Sequence, residues 1–408
     1  MRIAIIDDAG FGSGKPGLFG KELYSELLAQ LNEEILRNEV FRISLGGLVD
    51  DGKSIAVIGS KRPIFRTLYD EVLISKLASV LQKSSVDLIH VNILNARYPR
   101  SIVRLARKIG KPIVCTVHNW TYVCPTGWAV KFPDIRLCKP GLHFACVRTL
   151  WNLAKINNRG RINSISNGVN QYFSLRHLIK NSAAVVSPSE QLAKAIRENM
   201  GLNNVFTIPN PVAKSLLELK PQFGGEASVV FCGRLTFEKG VHLVPSIAER
   251  NPNIAHHVIG SGPLAEVIMK ACSSHKNIIY HGFVSDERKF EIIRKCSSVL
   301  MPTLWRETFG YTTAEAFALG KPVVGFALGG VQELVESSGC GYAARLNDID
   351  DIVEKIRKTV CEQDKSVEQG KLGRKYVESK LTMGAYAESL DSIYKTATST
   401  QSARIRAR

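Results

Sequence analysis

Short apolar, β-branched runs alternate along this chain with longer stretches whose apolar residues recur at helical spacing. The first run, RIAIID over 2–7, reads as a buried strand. Residues 21–36 (KELYSELLAQLNEEIL) place Leu23, Leu27, Leu28, Leu31 and Ile35 on one helical stripe. Runs at 41–47, 54–59, 86–92, 111–119, 183–189 and 204–211 continue the strand series, and helices are predicted over 70–84, 98–110 and 190–201, the last two stopping at Gly110 and Gly201. After the polar, Gly-containing stretch 219–227 the pattern restarts. Strands are predicted over 228–235, 254–259, 277–284, 298–304 and 321–330, separated by helices at 240–251, 263–275, 286–297 and 312–320. Helices near 348–361, 365–379 and 384–396 close the chain. The segment from about 120 to 180 has no clear period, and neither has the tail 398–408.

Strands alternating with helices predict an α/β fold whose parallel sheets are covered on both faces. Two such series predict two doubly wound, Rossmann-like domains, with a ligand cleft outside the carboxyl ends of their strands. The expected division is 1–211 and 212–383. The helix at about 384–397 is expected to pack back onto the first domain, and 398–408 to be a mobile basic tail. Asn210, set between Pro209 and Pro211, reads as the hinge.

Composition narrows the class. A chain of 408 residues with 45% apolar and 22% charged residues is neither disordered nor collagenous, and its length suits two domains. No apolar run approaches the ~18 residues of a membrane-spanning helix. The apolar stretch at the N-terminus is short and ends in Asp7 and Asp8, which fits a strand and not a secretory signal. Nine scattered cysteines without a CxxC pair point to reduced thiols and a cytoplasmic setting.

The net charge of +17 is uneven. Residues 51–200 hold 23 Lys and Arg against 7 Asp and Glu, while 201–408 hold 26 against 22. Such a field attracts acidic partners, whether phosphorylated substrates, anionic lipid or nucleic acid.

The candidate chemistry lies mostly in the second half. In LWRETFGYTTAEAFALGKPVV (304–324), Glu307 sits in a loop and Glu315 in the first turns of a helix that Thr312 or Thr313 could cap and Gly320 ends. The amides near Phe309, Gly310, Tyr311 and Thr312 then form a helix N-terminus suited to phosphate. Two carboxylates at this spacing suit hydroxyl groups, or else one complements the helix dipole and the other is merely solvated. In GRLTFEKG (233–240), Arg234 and Lys239 share a strand-to-helix loop, which is either a diphosphate clamp or an ordinary basic surface loop. The loop lacks the order of a Walker A motif. A Gly-Ser-Gly-Pro turn at 260–263 lacks the dinucleotide fingerprint, and HGFV (281–284) ends a strand where main chain could meet a flat base. Asp348-Ile349-Asp350 reads as a capped helix start, not a metal site. Cys124, Cys138 and Cys146, with His118 or His143, offer zinc-type ligands at spacings unlike a zinc ribbon, so buried thiols are the plainer reading.

Taken as an ordered set, GRLTFEKG, IGSGP, HGFV and P-x4-E-x-FG-x4-E-A-x-A-x-GKPVV-x5-G-x2-E resemble the retaining, GT-B-fold nucleotide-sugar glycosyltransferases of family 4. Residues 228–345 carry most of this resemblance. TVHNW (116–120) resembles the strand end where that family places an active-site histidine, here His118. KPGLFGKEL (15–23) resembles its glycine loop, with Gly17 kept and Pro16 in place of the first glycine. The resemblance implies that Arg234 and Lys239 bind the donor diphosphate, Glu307 the sugar and Glu315 the ribose. It implies further that the amides of Phe309 to Thr312 hold sugar and phosphate, that Gly17 and Gly260 line the donor, and that main chain at Phe283 and Val284 meets the base. His118 would lie near the reacting sugar. No cofactor or metal is expected.

The expected partners are a nucleotide sugar donor, UDP- or GDP-linked, and a glycan or lipid-linked acceptor. An anionic membrane surface is the expected setting for the latter, and no nucleic acid partner is expected. A nucleotide-sugar epimerase of the same fold and a basic nucleic-acid-binding protein are the competing readings. The missing fingerprint disfavours a nicotinamide oxidoreductase.

Overall fold

A computed structural model describes residues 1–7, 21–45, 54–56, 71–92, 98–132, 134–156 and 160–406. The chain divides into two compact units. One holds 1–133, 138–210 and 383–408, and the other 134–137 and 211–382.

Among the described residues of the first unit, seven parallel strands form one sheet in the order β3-β2-β1-β4-β5-β8-β9. They are β1 (Arg2–Asp7), β2 (Glu39–Ser44), β3 (Ser54–Ala56), β4 (Leu88–Asn92), β5 (Ile113–Thr116), β8 (Ala184–Ser187) and β9 (Val205–Thr207). The numbers β6 and β7 belong to two-residue strands, Val130–Lys131 and Arg136–Leu137. In the second unit six parallel strands lie in the order β12-β11-β10-β13-β14-β15. These are β10 (Glu226–Cys232), β11 (Ala255–Ile259), β12 (Ile278–Gly282), β13 (Cys296–Met301), β14 (Val323–Phe326) and β15 (Gly341–Ala344). Central strands β4, β5, β8 and β13 are buried along their whole length, as two-sided helix cover requires. The strand order reverses between β1 and β4 in one unit and between β10 and β13 in the other. Those are the switch points at which such sheets present ligands.

Several expected elements differ in the structure. The segment 120–180, without a readable period, carries two helices, Phe144–Ile156 and Arg161–Lys180. The buried positions of the second include Gly168 and Ser174, whose small polar character hides the stripe made by Tyr172, Leu175, Leu178 and Ile179. The run 321–330 is a strand only over Val323–Phe326, and Gly329 opens a helix to Ser338. The last helix, Met383–Arg406, continues through the expected tail, because good helix formers such as Gln401, Ala403 and Arg404 extend an already packed helix. Gly110 and Gly201 end their helices in the left-handed conformation, as read from sequence.

The Met383–Arg406 helix completes the core of the first unit. Tyr394 and Leu390 are fully buried, and Tyr386 nearly so. Their polar ends enter a buried network. The Tyr394 hydroxyl lies 2.6 Å from His90 Nδ1, and His90 Nε2 lies 2.8 Å from Thr116 Oγ1. The Tyr24 hydroxyl is shared between Thr116 Oγ1 (3.0 Å) and the Tyr386 hydroxyl (2.6 Å). Burial lowers His90 to about 3 and, against the pull of its hydrogen bonds, pushes Tyr24 up to about 12.

His90 is therefore neutral in the folded chain and takes up its proton only on unfolding. The unfolded state binds the extra proton below its ordinary pKa of about 6.5, so stability is complete above that value and falls as pH drops toward 3. Between pH 7 and 5 the loss expected from this group is about 2 kcal/mol. Denaturant titrations across that range should show it, and His90→Gln, although less stable, should flatten the slope.

Candidate functional site

The second unit gathers its chemistry at the carboxyl ends of β10, β11, β12 and β13. Backbone bonds sew the loops together. Gly233 N–H donates to Ile259 O (3.1 Å), Leu235 N–H to Ser261 O (2.9 Å), and Gly260 N–H to Gly282 O (2.8 Å). Gly260 has a φ of +134°, and a β-carbon there would overlap the Gly233 carbonyl oxygen. The Gly-Ser-Gly-Pro turn thus lies directly against the GRLTFEKG loop. Gly240 closes that loop at φ +72°, where a β-carbon would run into the Pro302 carbonyl oxygen.

This close approach brings the loops after β10 and β13 together at the switch point. Leu304 N–H donates to Glu238 O (2.9 Å), and the Lys239 ammonium bonds Glu307 Oε1. Lys239 also stands 5.4 Å from the centre of the Trp305 ring, within cation–π range. Glu307 is buried, and its carbonyl accepts from Gly330 N–H at 2.7 Å. Arg234, on the same loop as Lys239, is largely exposed and lies 3.7 Å from Glu238 Oε1. One loop therefore carries an exposed guanidinium and an ammonium held on a buried carboxylate.

Four residues beyond Glu307 the helix Tyr311–Ala318 begins. Its N-cap is Gly310 at φ +93°, without a side-chain cap, so neither Thr312 nor Thr313 plays the capping role expected of them. The reason is positional. Both threonines are already inside the first turn, and the Thr313 and Ala314 amides bond Gly310 O. Phe309 turns its ring into the core while its main chain stays at the helix start. Among the described residues, Thr236 Oγ1, Thr303 Oγ1, Trp305 Nε1 and Thr313 Oγ1 are buried without a hydrogen-bond partner. Three of them belong to the loops after β10 and β13, and Thr313 to the first turn of the helix. Orphaned polar atoms cost roughly 1–3 kcal/mol each and are expected where a polar ligand would complete them.

Glu315 lies one turn into the helix and meets Lys289 Nζ at 3.1 Å. Lys289 belongs to the helix Asp286–Lys295 and also pairs with Asp286 at 2.8 Å. Burial raises the Glu315 pKa, with Lys289 pulling the other way. Burial opposes the Lys289 charge too, but Glu315, Cys232 and Asp286 outweigh it and raise its pKa. Nothing in DERKFEIIRK marks Lys289 as a partner, since its carboxylate lies 26 residues away. Phe283 in HGFV is exposed and Val284 half-buried, beside a stacked His257–His281 pair with Nδ1 to Nε2 at 2.9 Å.

In the first unit His118 follows β5 and bonds Asn92 Oδ1 through Nε2. Asn92 ends β4, and its amide donates to Asp7 Oδ2 (2.5 Å) and to Ser25 Oγ (2.6 Å). With both amide protons so used, Oδ1 faces His118, and the histidine holds its neutral-form proton on Nε2. Tyr24 packs its ring edge-on, 4.9 Å from that of His118. Asp7, Ser25 and Asn92 escape a sequence reading because they are 18 to 85 residues apart. The one signal is a polar residue closing an apolar strand. Gly17 and Pro16 lie outside the described residues.

Cys124, Cys138 and Cys146 are buried thiols. Cys138 Sγ lies 3.1 Å from His143 Nε2, and Cys146 Sγ 3.6 Å from His143 Nδ1. The Cys146 hydrogen bond lowers Cys124 to about 6 and raises Cys146. Among the described residues no group of three or more His, Cys, Asp or Glu is arranged to hold a metal ion. Asp348 caps the helix Ile349–Cys361, accepting from Asp351 N–H at 3.0 Å.

Two family descriptions match this chain, Glycosyl transferases group 1 over 218–376 and Glycosyltransferase Family 4 over 43–215. A curated relative, a GDP-mannose-dependent alpha-(1-6)-phosphatidylinositol monomannoside mannosyltransferase of Mycobacterium tuberculosis, is 26% identical over 195 residues, 45% of this chain and 51% of the relative. The chain spans about half the length of the curated relatives it matches. Sucrose-phosphate synthase from Thermosynechococcus elongatus superposes with a TM-score of 0.74 at 16% identity, covering 98% of this chain and 99% of that one. Anabaena HepE in complex with UDP-glucose gives 0.64 at 17% identity, covering 98% and 100%. The two-unit architecture is thus the GT-B fold.

Proposed function

The chain belongs to glycosyltransferase family 4, and from that premise we propose that it moves a hexose from a nucleoside diphosphate sugar to a glycan or lipid-linked acceptor, with retention at the anomeric carbon. The observation that carries this reading is the Lys239–Glu307 contact, four residues before a helix start and at a sheet switch point. In the reaction the bond from the anomeric carbon to the diphosphate oxygen breaks, and its electrons go to the diphosphate. The acceptor oxygen bonds the carbon and its proton passes to the departing phosphate.

Each group then has a task. Lys239, Arg234 and the amides of Phe309 to Thr312 hold the diphosphate and stabilise the charge that grows on it. Fixed cations at this position do what a metal ion would do, and transfer should survive a chelator. Glu307, oriented by Lys239, takes the sugar hydroxyls. Glu315 takes the ribose, Gly260 lets the donor approach closely, and main chain at Phe283 and Val284 meets the base. His118, fixed by Asn92, serves the reacting sugar and acceptor. The relative that uses GDP-mannose and the fold neighbour holding UDP-glucose support a nucleotide sugar donor. The phosphatidylinositol monomannoside acceptor named for that relative supports a lipid-linked glycan, which sets this chain's reaction at a membrane face.

A thermal-shift screen with UDP, GDP, ADP and their sugars tests the reading. A ligand at about a hundred times its Kd adds about 2.7 kcal/mol, or roughly 5–11 °C in a domain of this size. One nucleotide should stabilise the chain, and its sugar should release it faster when acceptor is present. If no nucleotide raises the midpoint, the reading is wrong. If donor alone returns a changed sugar, the enzyme is an epimerase.

A further inference from the structure

We propose that the outward face of the helix Phe144–Ile156, with the start of the helix Arg161–Lys180, is a docking surface for an anionic lipid bilayer. This deepens the reading of a membrane-facing acceptor given above, and it rests on that reading only for its purpose.

The helix Phe144–Ile156 has two unlike faces. Cys146, Thr149, Leu150, Leu153 and Ala154 are buried. The exposed positions are Phe144, Val147, Arg148, Trp151 and Lys155, which share one face at helical spacing. Phe144 is 85% exposed, and Ile162, at the start of the next helix, is 78% exposed. A helix turned to bulk water puts charges of both signs where these apolar side chains stand. An isolated exposed apolar residue needs no explanation, but a phenylalanine, a tryptophan, a valine and an isoleucine on adjoining helix surfaces do.

The charges on this face are all cationic. Arg161 Cζ lies 4.7 Å above the Trp151 ring, so the guanidinium and the indole form one amphipathic unit. From residue 135 to residue 189 the chain has eight Lys and Arg and no Asp or Glu. A protein partner selected for this surface would need a matching acidic apolar face. A bilayer with anionic headgroups offers both properties at once, with acyl chains for Phe144, Trp151 and Ile162 and phosphates for Arg148, Lys155 and Arg161. Nucleic acid would satisfy the cations alone and leave the apolar stripe in water.

The test is co-sedimentation of the full chain, without donor or acceptor, with vesicles of phosphatidylcholine alone or mixed with phosphatidylglycerol. Binding to the mixed vesicles should exceed binding to phosphatidylcholine by at least about tenfold and weaken with salt. Phe144→Ser with Ile162→Ser, and separately Arg148→Glu with Lys155→Glu, should each lower it by about tenfold or more while nucleotide binding is unchanged. Equal affinity for both vesicle types would overturn the proposal. So would full binding by the Ser variant, which would mean a bare electrostatic field. Concentration-dependent dimers abolished by the Ser variant, without vesicle binding, would assign the face to a second copy of this chain. Because no sugar transfer is measured, vesicle binding can stand or fall independently of the proposed reaction.

Discussion

Lys239→Ala is expected to lower the transfer rate by about a hundredfold to a thousandfold, the scale on which removal of one fixed electrostatic donor acts on a transition state. The geometry explains why this single change outweighs its neighbours. Lys239 touches Glu307, and Glu307 is buried against Gly330. Removing the ammonium takes a positive charge from the departing diphosphate. It also leaves a buried carboxylate without its counterion, and that negative charge repels the donor. Arg234 is largely exposed and only loosely held by Glu238, so Arg234→Ala should mainly raise KM, by about tenfold. Glu307→Gln should restore part of the activity lost in Lys239→Ala, because the amide carries no charge to repel the donor. Steady-state kinetics with near-UV circular dichroism as a folding control decides the matter. Were Lys239→Ala to keep kcat within threefold of the parent, the clamp would have to be sought elsewhere.

The parts of this site that were legible in sequence are those carried by one continuous segment. GRLTFEKG and the loop from Glu307 to Thr312 each put a charged residue, a glycine and a strand end within about ten positions, which is a local signal. The strands were legible for a similar reason, since a strand buried on both faces is an unbroken apolar run. What stayed hidden depends on partners distant in the chain. Lys289 reaches Glu315 across 26 residues, and Asn92 reaches Asp7 across 85. No spacing rule predicts such pairs. Helices escaped wherever close packing selected small residues in place of large apolar ones. Gly329 and Gly330 open one helix tight under the Glu307 loop, and Gly168 and Ser174 lie in the buried stripe of another. The hydrophobic pattern fades at such positions because the backbone itself makes the contact.

The C-terminal helix shows the reverse case, a segment with a plain pattern and a consequence the pattern does not announce. Ending the chain after Thr382 should abolish the cooperative unfolding of the first unit while leaving that of the second. Tyr386, Leu390, Ile393 and Tyr394 are each at most 6% exposed. Burying side chains of this size is worth about 1.5–3 kcal/mol apiece, so the four together approach the whole ~5–15 kcal/mol stability of a domain. Their loss also strands polar groups placed for them, since His90 Nδ1 loses the Tyr394 hydroxyl and Tyr24 loses that of Tyr386. The second unit keeps its own core, from Val212 to Leu381, and has no such debt. Calorimetry of the shortened chain should therefore show one transition where the full chain shows two or a single larger one. Tyr394→Phe provides the finer comparison, because it keeps the ring and removes only the hydroxyl shared by His90 and Asn32. That change should cost about 1–3 kcal/mol. A shortened chain that unfolds at the parent's temperature with the parent's enthalpy would mean that the buried tyrosines contribute nothing, and the account of this core would have to be abandoned.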